Sequence, residues 1–239
     1  MSSSVPAYKL DPWNVSELDF PSRGSDPQKL RFLLQYALLA PSGHNSQPWL
    51  FSLTDDAVEL FADRQRSLPH ADPEDRELIM SCGAALLFLR VTLHHFTYTG
   101  GVECFPEPRD QNLLARIRLG GREVPSAEND ELFHAIHKRR TNRQPFERWA
   151  VAQALVAKLE SAAAEEDAWF RAVDEAEERG EIAKLVAEGD RAQMSNRAFR
   201  NELASWMRPN FSHSHDGIPG SGLGLGDLAS YAGPLLVRT

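Results

Sequence analysis

The chain has 239 residues, 42% of them hydrophobic, which is enough apolar material for one large core or two smaller ones. Its formal net charge of -8 argues against a nucleic-acid partner, because proteins that bind nucleic acid carry a basic footprint. No stretch approaches the apolar length of a membrane span, and the N-terminus lacks the apolar core of a signal peptide. We therefore expect a cytoplasmic protein with no membrane partner and with free thiols at Cys82 and Cys104.

The chain up to about residue 128 predicts an extended lead-in, two helices and two pairs of strands. Residues 1–26 form the lead-in, and Asp26-Pro27 then begins a helix, because an N-cap acceptor precedes a proline. A second helix begins at Asp72-Pro73 and is apolar on most sides, which is typical of a helix at the centre of a domain. The predicted helices cover 27–40 and 73–97, and the predicted strands cover Trp49–Thr54, Val58–Ala62, Gly101–Pro106 and Leu113–Leu119.

From about residue 129 the sequence predicts mainly helices. The predicted helices cover Glu131–Lys138, Val151–Ala164, Glu175–Met194 and Asn196–Met207. Short strands are predicted over Trp169–Val173 and Pro234–Thr239, with a loop-like tail over 208–226 between the last helix and the last strand. A chain that ends on an apolar strand is unusual for a complete domain, so we expect a truncated chain. The whole pattern indicates an α+β protein.

The segment Pro41–Trp49, with the sequence PSGHNSQPW, is the most informative feature of the chain. Ser42, Asn45, Ser46 and Gln47 supply hydrogen-bond donors and acceptors in one loop. Two prolines restrict φ, and Gly43 lets the backbone approach a ligand closely. This pattern is typical of a loop that binds a polar, planar ligand, but it also fits an ordinary surface turn, so the residues alone leave both interpretations open.

A second informative segment is Arg139-Arg140-Thr141-Asn142-Arg143, which lies in an otherwise acidic chain. Guanidinium groups pair bidentately with phosphate oxygens, so Arg139, Arg140, Thr141 and Arg143 are candidate phosphate ligands. A solvated basic turn is the alternative interpretation.

Together the two segments resemble motifs of the flavin-dependent nitroreductase family. In that family an Arg-Arg-Ser-x-Arg type motif binds the FMN phosphate, and a Pro-Ser-x-x-Asn-x-Gln-Pro-Trp loop lies against the flavin ring and ribityl chain. The resemblance implies that Arg139, Arg140, Thr141 and Arg143 hold the phosphate, and that Ser42, Asn45 and Gln47 hydrogen-bond the ribityl chain and ring edge.

The order of the motifs resembles the tandem branch of the family, typified by dormancy-associated mycobacterial nitroreductase-like proteins. In ordinary nitroreductases the arginine motif precedes the Pro-Ser loop, whereas here it follows. The resemblance implies two fused, unequal halves, 27–128 and 129–239, that form an internal pseudo-dimer with one FMN per chain. Such a chain can be a monomer or a homodimer.

The tail carries a weaker match to the same family. Asp216-Gly217 resembles a Glu-Gly pair whose backbone N–H groups face flavin N5, which would place Gly217 at the reactive edge. A flexible glycine-rich loop is the alternative interpretation. His213 and His215 lie close together, but a metal site needs further ligands at suitable spacing, so we expect none.

The resemblance implies an oxidoreductase in which NAD(P)H reduces FMN and the reduced flavin passes electrons to a nitroaromatic, quinone or similar small-molecule acceptor. No protein side chain is expected to form a covalent bond to the substrate. A different function is a protein that sequesters FMN under a lid formed by residues 207–226 and reduces little. A third possibility is a degenerate interaction module that binds no flavin.

Overall fold

The computed structural model describes residues 12–143, 145–147 and 149–239. Between Trp49 and Arg122 the chain forms a four-stranded antiparallel sheet. The strands are β1 (Trp49–Leu53), β2 (Ala57–Ala62), β3 (Tyr98–Cys104) and β4 (Leu113–Arg122). They lie in the order β1-β2-β4-β3, so β1 is an edge strand and β4 sits between β2 and β3. The predicted hairpin is confirmed, with Leu53 opposite Val58. Residues 1–11 of the predicted lead-in lie outside the described residues.

Three helices share one hydrophobic core with the sheet: α1 (Asp26–Ala37), α2 (Arg76–His95) and α3 (Ala127–Ile136). Helices α1 and α2 pack against each other and against the sheet, while α3 packs on α2. Burying each large apolar side chain between these layers contributes about 1.5–3 kcal/mol. The side chains with no exposed surface include Leu30, Leu33, Val58, Cys82, Leu89, Leu93 and Ile117.

The prediction that no stretch approaches the apolar length of a membrane span was wrong: helix α2 is long and apolar enough to cross a membrane by length and composition, with a mean hydropathy of 1.4. Its apolar residues, however, pack into the core of this domain, where Cys82, Ala85 and Leu89 have no exposed surface. The apolar character of α2 is therefore explained by its position between the sheet, α1 and α3.

Both early helices begin slightly away from the predicted residues. Ser25, not Asp26, is the N-cap of α1, and it forms a capping box with Gln28. Helix α2 begins at Arg76 instead of residue 73, because the buried carboxylate of Asp72 accepts a hydrogen bond from the Leu78 backbone N–H at 2.9 Å and holds the preceding residues in a turn.

The rest of the chain contributes α4 (Gln153–Glu165), α5 (Ala176–Ser195), α6 (Arg197–Trp206) and α7 (Asp227–Arg238), with two very short strands, β5 (Met207–Arg208) and β6 (Ile218–Pro219). Helices α6 and α7 pack together, and β5 pairs in parallel with β6. No described residue of α4 or α5 is buried.

Three predictions for this part of the chain were wrong. The segment Trp169–Val173 is not a strand, since no described strand lies beside it to pair with and the Trp169 side chain is 84% exposed. The tail over 208–226 is not only loop: it contains β6 and the 3-10 turn Gly220–Leu223.

The segment Pro234–Thr239 belongs to a helix, α7, rather than to a strand. The small buried residues Ser230 and Gly233 allow α7 to approach its neighbours closely: a β-carbon built on Gly233 would lie 2.9 Å from the Met207 Cε. Packing of this helix against α6 thus outweighs the cost of Pro234 inside it.

Candidate functional site

The loop Pro41–Trp49 adopts a strained backbone conformation. His44, Asn45 and Gln47 have φ values of 52°, 53° and 52°, in the left-handed region that residues other than glycine seldom occupy. The Ser42 Oγ accepts a hydrogen bond from the Gln47 backbone N–H at 2.9 Å and so closes the loop on itself. Non-glycine residues in this region cost about 1–3 kcal/mol each and cluster at ligand sites, so the conformation supports a functional role for the loop.

A turn in the tail, His215–Gly217, closes directly on this loop. The Asn45 Nδ2 donates to the Gly217 carbonyl at 3.0 Å, and the Gly217 backbone N–H donates to the Asn45 carbonyl at 3.1 Å. The Gln47 Nε2 donates to the His215 carbonyl. Gly217 has a φ of 81°, and a β-carbon there would lie 2.5 Å from the Trp206 carbonyl oxygen, so only glycine fits.

Asp216 fastens the turn through two arginines. Its Oδ2 accepts from the Arg66 Nη1 at 3.0 Å, and its Oδ1 accepts from the Arg208 Nη2 at 3.0 Å and the Ser214 Oγ at 2.6 Å. Partial burial alone would raise the pKa of Asp216, but the hydrogen bonds from Ser214, Arg208 and Arg66 outweigh it and hold the pKa below its ordinary value of 3.8. Arg66 also donates to the Ser46 carbonyl at 3.0 Å, so it ties the loop to the turn.

Arg139 is the arginine that shares a cavity with the loop residues Asn45 and Gln47. It follows α3, and its Nη2 lies 3.4 Å from the carbonyl oxygen of Leu39, between α1 and the loop. Its Nε is buried and has no hydrogen-bond partner among the described residues. Burial and the neighbouring Arg140 lower the pKa of Arg139. A desolvated guanidinium with an unused donor is suited to an anionic ligand.

The other members of the arginine run point elsewhere. The Arg140 Nη1 donates to the His137 and Arg139 carbonyls at 2.7 Å, and its guanidinium lies 4.3 Å from the centre of the Trp13 ring. Arg143 lies over the 3-10 turn Gly220–Leu223: a β-carbon built on Gly222 would be 3.5 Å from the Arg143 Nη1. Thr141 is exposed. Five predicted residues, Asn45, Gln47, Arg139, Asp216 and Gly217, therefore lie around one region, whereas Arg140, Thr141 and Arg143 spread out from it.

Two cavities meet at this region. The first, which we call the Arg139 cavity, has a volume of about 230 Å³ and is lined by Pro12, Trp13, Leu38, Leu39, Ala40, Asn45, Gln47, Arg139 and His215. The second, the β1 cavity, has a volume of about 610 Å³. Its walls are apolar and include Leu34, Leu38, Trp49, Phe51 and Leu53. Its rim is polar and includes Arg31, Asp63, Arg66 and Asp216. Leu38, Gln47 and His215 line both cavities and separate them.

Three residues of this region were not singled out from the sequence as site residues. Arg66 lies in the short basic run Arg64-Gln65-Arg66, which is too ordinary a pattern to indicate its contact with Asp216. Trp13 is an isolated aromatic residue in a polar lead-in. An isolated aromatic residue of this kind is a weak indication of a binding residue. The His44 Nε2 is buried without a hydrogen-bond partner among the described residues, and burial lowers the pKa of this imidazole.

Comparison with known proteins finds relatives of this chain, although no family model matches it. Over 181 residues, 76% of this chain, it is 32% identical to Rv3131 of Mycobacterium tuberculosis, a candidate NAD(P)H nitroreductase, and covers 52% of that protein. Over 117 residues, 49% of this chain, it is 38% identical to the candidate NAD(P)H nitroreductase acg of the same organism, covering 35% of it. Over 75 residues, 30% of this chain, it is 41% identical to the candidate NAD(P)H nitroreductase PigM of a Serratia species, covering 20% of it.

The chain spans about half the length of Rv3131, at 52%. The match to that relative nevertheless covers 76% of this chain. The candidate NAD(P)H nitroreductases acg and PigM match shorter stretches of it. The predicted resemblance is thereby confirmed: the chain belongs to the nitroreductase family and has mycobacterial relatives within it.

Proposed function

We propose that this chain binds FMN and transfers electrons from NAD(P)H to a nitroaromatic, quinone or similar small-molecule acceptor. The names of its relatives support a NAD(P)H nitroreductase activity in general. The single observation that carries the flavin site is that Arg139, whose Nε is buried without a described partner, lines the same cavity as Asn45 and Gln47. Asn45 and Gln47 come from the loop Pro41–Trp49, and Arg139 comes from the arginine run. The Arg139 side chain meets the chain just before that loop, at Leu39, 100 residues earlier.

The residues present fit the donor set that a flavin phosphate and ribityl chain require. Arg139 would bind the phosphate, with Arg143 and Thr141 approaching from the exposed side. Asn45 and Gln47 would donate their side-chain amides, and Ser42 would keep the loop closed through its bond to Gln47. Arg140 makes its described contacts to Trp13 and to backbone carbonyls, so its role as a phosphate ligand would require it to turn away from them.

Binding would require the turn His215–Gly217 to move. The Arg139 cavity, at about 230 Å³, is smaller than the range of about 300–1,000 Å³ typical of ligand sites. The amide donors of Asn45 and Gln47 are also occupied by carbonyls of this turn, and the Gly217 N–H is occupied by Asn45. For Gly217 to offer its N–H to flavin N5, that hydrogen bond would have to break.

Bound FMN would supply the hydride and electron transfer, while the protein would bind, orient and exclude water. The β1 cavity is a suitable place for the acceptor, because it adjoins the Arg139 cavity at Leu38, Gln47 and His215, which line both. Its apolar walls would contact an aromatic or quinone ring, and Arg31 at its rim would attract an anionic substituent.

The pairing of one loop with one arginine run supports a single FMN per chain. In this proposal the halves 27–128 and 129–239 act as an internal pseudo-dimer, so a monomer would suffice to form the site. Size-exclusion chromatography with light scattering, on protein of known FMN content, would test that stoichiometry.

The test of the flavin site is an FMN titration of the purified protein, with the released chromophore identified after heat denaturation. We expect about one FMN per chain in the wild type and a loss of binding in the double variant Arg139→Gln, Arg143→Gln. Arg76→Gln, which removes the same charge from an exposed position, is the matched control for one of these changes. FMN content that is unchanged in the double variant would refute the site.

An assay of NAD(P)H oxidation distinguishes an oxidoreductase from a protein that only sequesters FMN. If the FMN-loaded protein oxidises NADH or NADPH and reduces a nitroaromatic compound or a quinone, the oxidoreductase proposal stands. If it holds FMN and oxidises neither nucleotide with any of these acceptors, the chain is a flavin-sequestering protein instead.

A further inference from the structure

The first residues that the structure describes are fastened to the end of α3 and to α2. The Pro12 carbonyl lies 3.1 Å from the His137 Nε2, and the Glu17 carboxylate lies 3.0 Å from the His95 Nε2. The His95 ring in turn stacks on Phe133, with ring centres 3.7 Å apart. The 3-10 turn Pro12–Asn14 therefore has a defined position beside the arginine run.

Within this segment the Trp13 side chain does not belong to the hydrophobic core. Its side chain is 46% exposed, and it lines the Arg139 cavity together with Asn45, Gln47 and Arg139. Large aromatic side chains are normally buried in a core or used at a binding surface, so a half-exposed indole at the edge of a polar cavity is notable.

Arg140 holds this indole in place. Its guanidinium lies 4.3 Å from the Trp13 ring centre, within cation–π distance, and is itself fixed by two hydrogen bonds of 2.7 Å to the His137 and Arg139 carbonyls. The guanidinium is thus oriented by the backbone that also carries Arg139. One arginine of the run faces the cavity, and its neighbour faces the aromatic wall of that cavity.

From this geometry we infer that Trp13 is an aromatic wall of the ligand site, which stacks against the planar ring of a bound flavin, and that Arg140 is a positioning residue that holds Trp13 there. The inference rests on the proposed FMN site and extends it to a segment outside both motifs. It also reassigns Arg140, which would act on the ligand through Trp13 and not through the phosphate.

The test is an FMN titration followed by visible-excited flavin emission, which reports ring stacking without a contribution from the tryptophans. Indole quenches an adjacent excited flavin by electron transfer, and phenylalanine does so far less. We therefore expect Trp13→Phe to bind FMN within about threefold of the wild type while the bound flavin becomes brighter. Trp13→Ala should weaken FMN binding roughly three- to tenfold, the range expected for one lost aromatic contact. Trp169→Phe, at an exposed position outside the cavity, is the control.

A double-mutant cycle tests the role of Arg140. Arg140→Gln should weaken FMN binding about threefold in the wild-type background and cause no further loss in the Trp13→Ala background. Equal losses in the two backgrounds would mean that Arg140 contacts the ligand directly, which would overturn its role as a positioning residue.

The outcomes separate this inference from the proposed function. If the wild type binds no FMN, the proposed function fails and the inference fails with it. If the wild type binds FMN, but Trp13→Ala binds as tightly and the emission of Trp13→Phe is unchanged, the inference alone is refuted. Circular dichroism and thermal melts check that each variant is folded.

Discussion

Asn45 and Gly217 exchange two hydrogen bonds, one from the Gly217 N–H to the Asn45 carbonyl at 3.1 Å and one from the Asn45 Nδ2 to the Gly217 carbonyl at 3.0 Å. This reciprocal pair joins two segments that are 172 residues apart in the chain. It places the turn His215–Gly217 directly on the loop Pro41–Trp49. In the proposed function, a ligand of that loop would need the Asn45 amide that this pair occupies.

The variant Asn45→Ala should loosen the turn His215–Gly217. It removes the side-chain hydrogen bond, for which the expected cost is about 1 kcal/mol. Hydrogen exchange of the Gly217 amide should become several-fold faster, because this amide is protected by the same pairing. Asn129→Ala, which removes a comparable amide-to-carbonyl bond to Val91 at 3.1 Å, should leave Gly217 exchange unchanged. Equal Gly217 exchange in Asn45→Ala and the wild type would show that the Asn45 side chain does not hold the turn His215–Gly217 in place.

Asp216→Asn should destabilise the protein in a pH-dependent way. The depressed pKa of Asp216 means that its ion pairs contribute stability above the unfolded-state value of 3.8, and that this contribution is lost as the pH falls through the lower folded-state pKa. In urea unfolding at pH 7 the variant should lose roughly 1–3 kcal/mol, as expected for hydrogen bonds to a charged group that is only partly exposed. Below the folded-state pKa the difference between variant and wild type should shrink.

Asp55→Asn is the control for this measurement, because Asp55 lies exposed in the hairpin turn. A loss of stability that stays constant from pH 7 to the acid side of the transition would argue against an ionised Asp216 as its source.

Arg139→Met should change the stability of the protein and its FMN binding in opposite directions. The Arg139 Nε is buried without a described partner, and an apolar side chain of similar length removes that desolvation cost. We expect a gain of about 1 kcal/mol in urea unfolding together with a loss of FMN binding. Arg143→Met changes an exposed position, so its stability should stay within about 0.5 kcal/mol of the wild type. A destabilised Arg139→Met would show that Arg139 is satisfied in the folded protein.

The two cysteines should differ sharply in reactivity. Cys82 has no exposed surface, and burial raises its pKa to about 12, so its thiol stays protonated at neutral pH. Cys104 is free and exposed at the end of β3. Iodoacetamide at pH 8, read out by peptide mass spectrometry, should label Cys104 in the native protein and both residues after unfolding. Native labelling of Cys82 would mean that the core around α2 opens locally.

Much of the fold follows from local patterns in the sequence. The four strands of the sheet, the apolar helix α2 and the helices α4 to α6 were predicted to within a few residues, because their hydrophobic spacing and turn residues act locally. The sequence also identified the loop Pro41–Trp49 and the arginine run, since small polar residues between prolines and clustered guanidiniums are distinctive without any tertiary context.

The C-terminal helix shows where local patterns fail. The apolar run Pro234-Leu235-Leu236-Val237 is compatible with a strand or a helix, and the proline argues against a helix interior. Only the close packing of Ser230 and Gly233 against the neighbouring elements favours α7, and that contact joins residues distant in sequence.

The sequence by itself determined which residue types this protein brings to its candidate site, while the tertiary structure decided which of them share a cavity. Neighbouring arginines look equivalent in the sequence, yet Arg139 lines the cavity with Asn45 and Gln47, whereas Arg140 holds Trp13. The physical reason is that, in the irregular chain after α3, each side-chain direction is set by burial and by contacts with distant segments. Local spacing carries no information about those contacts.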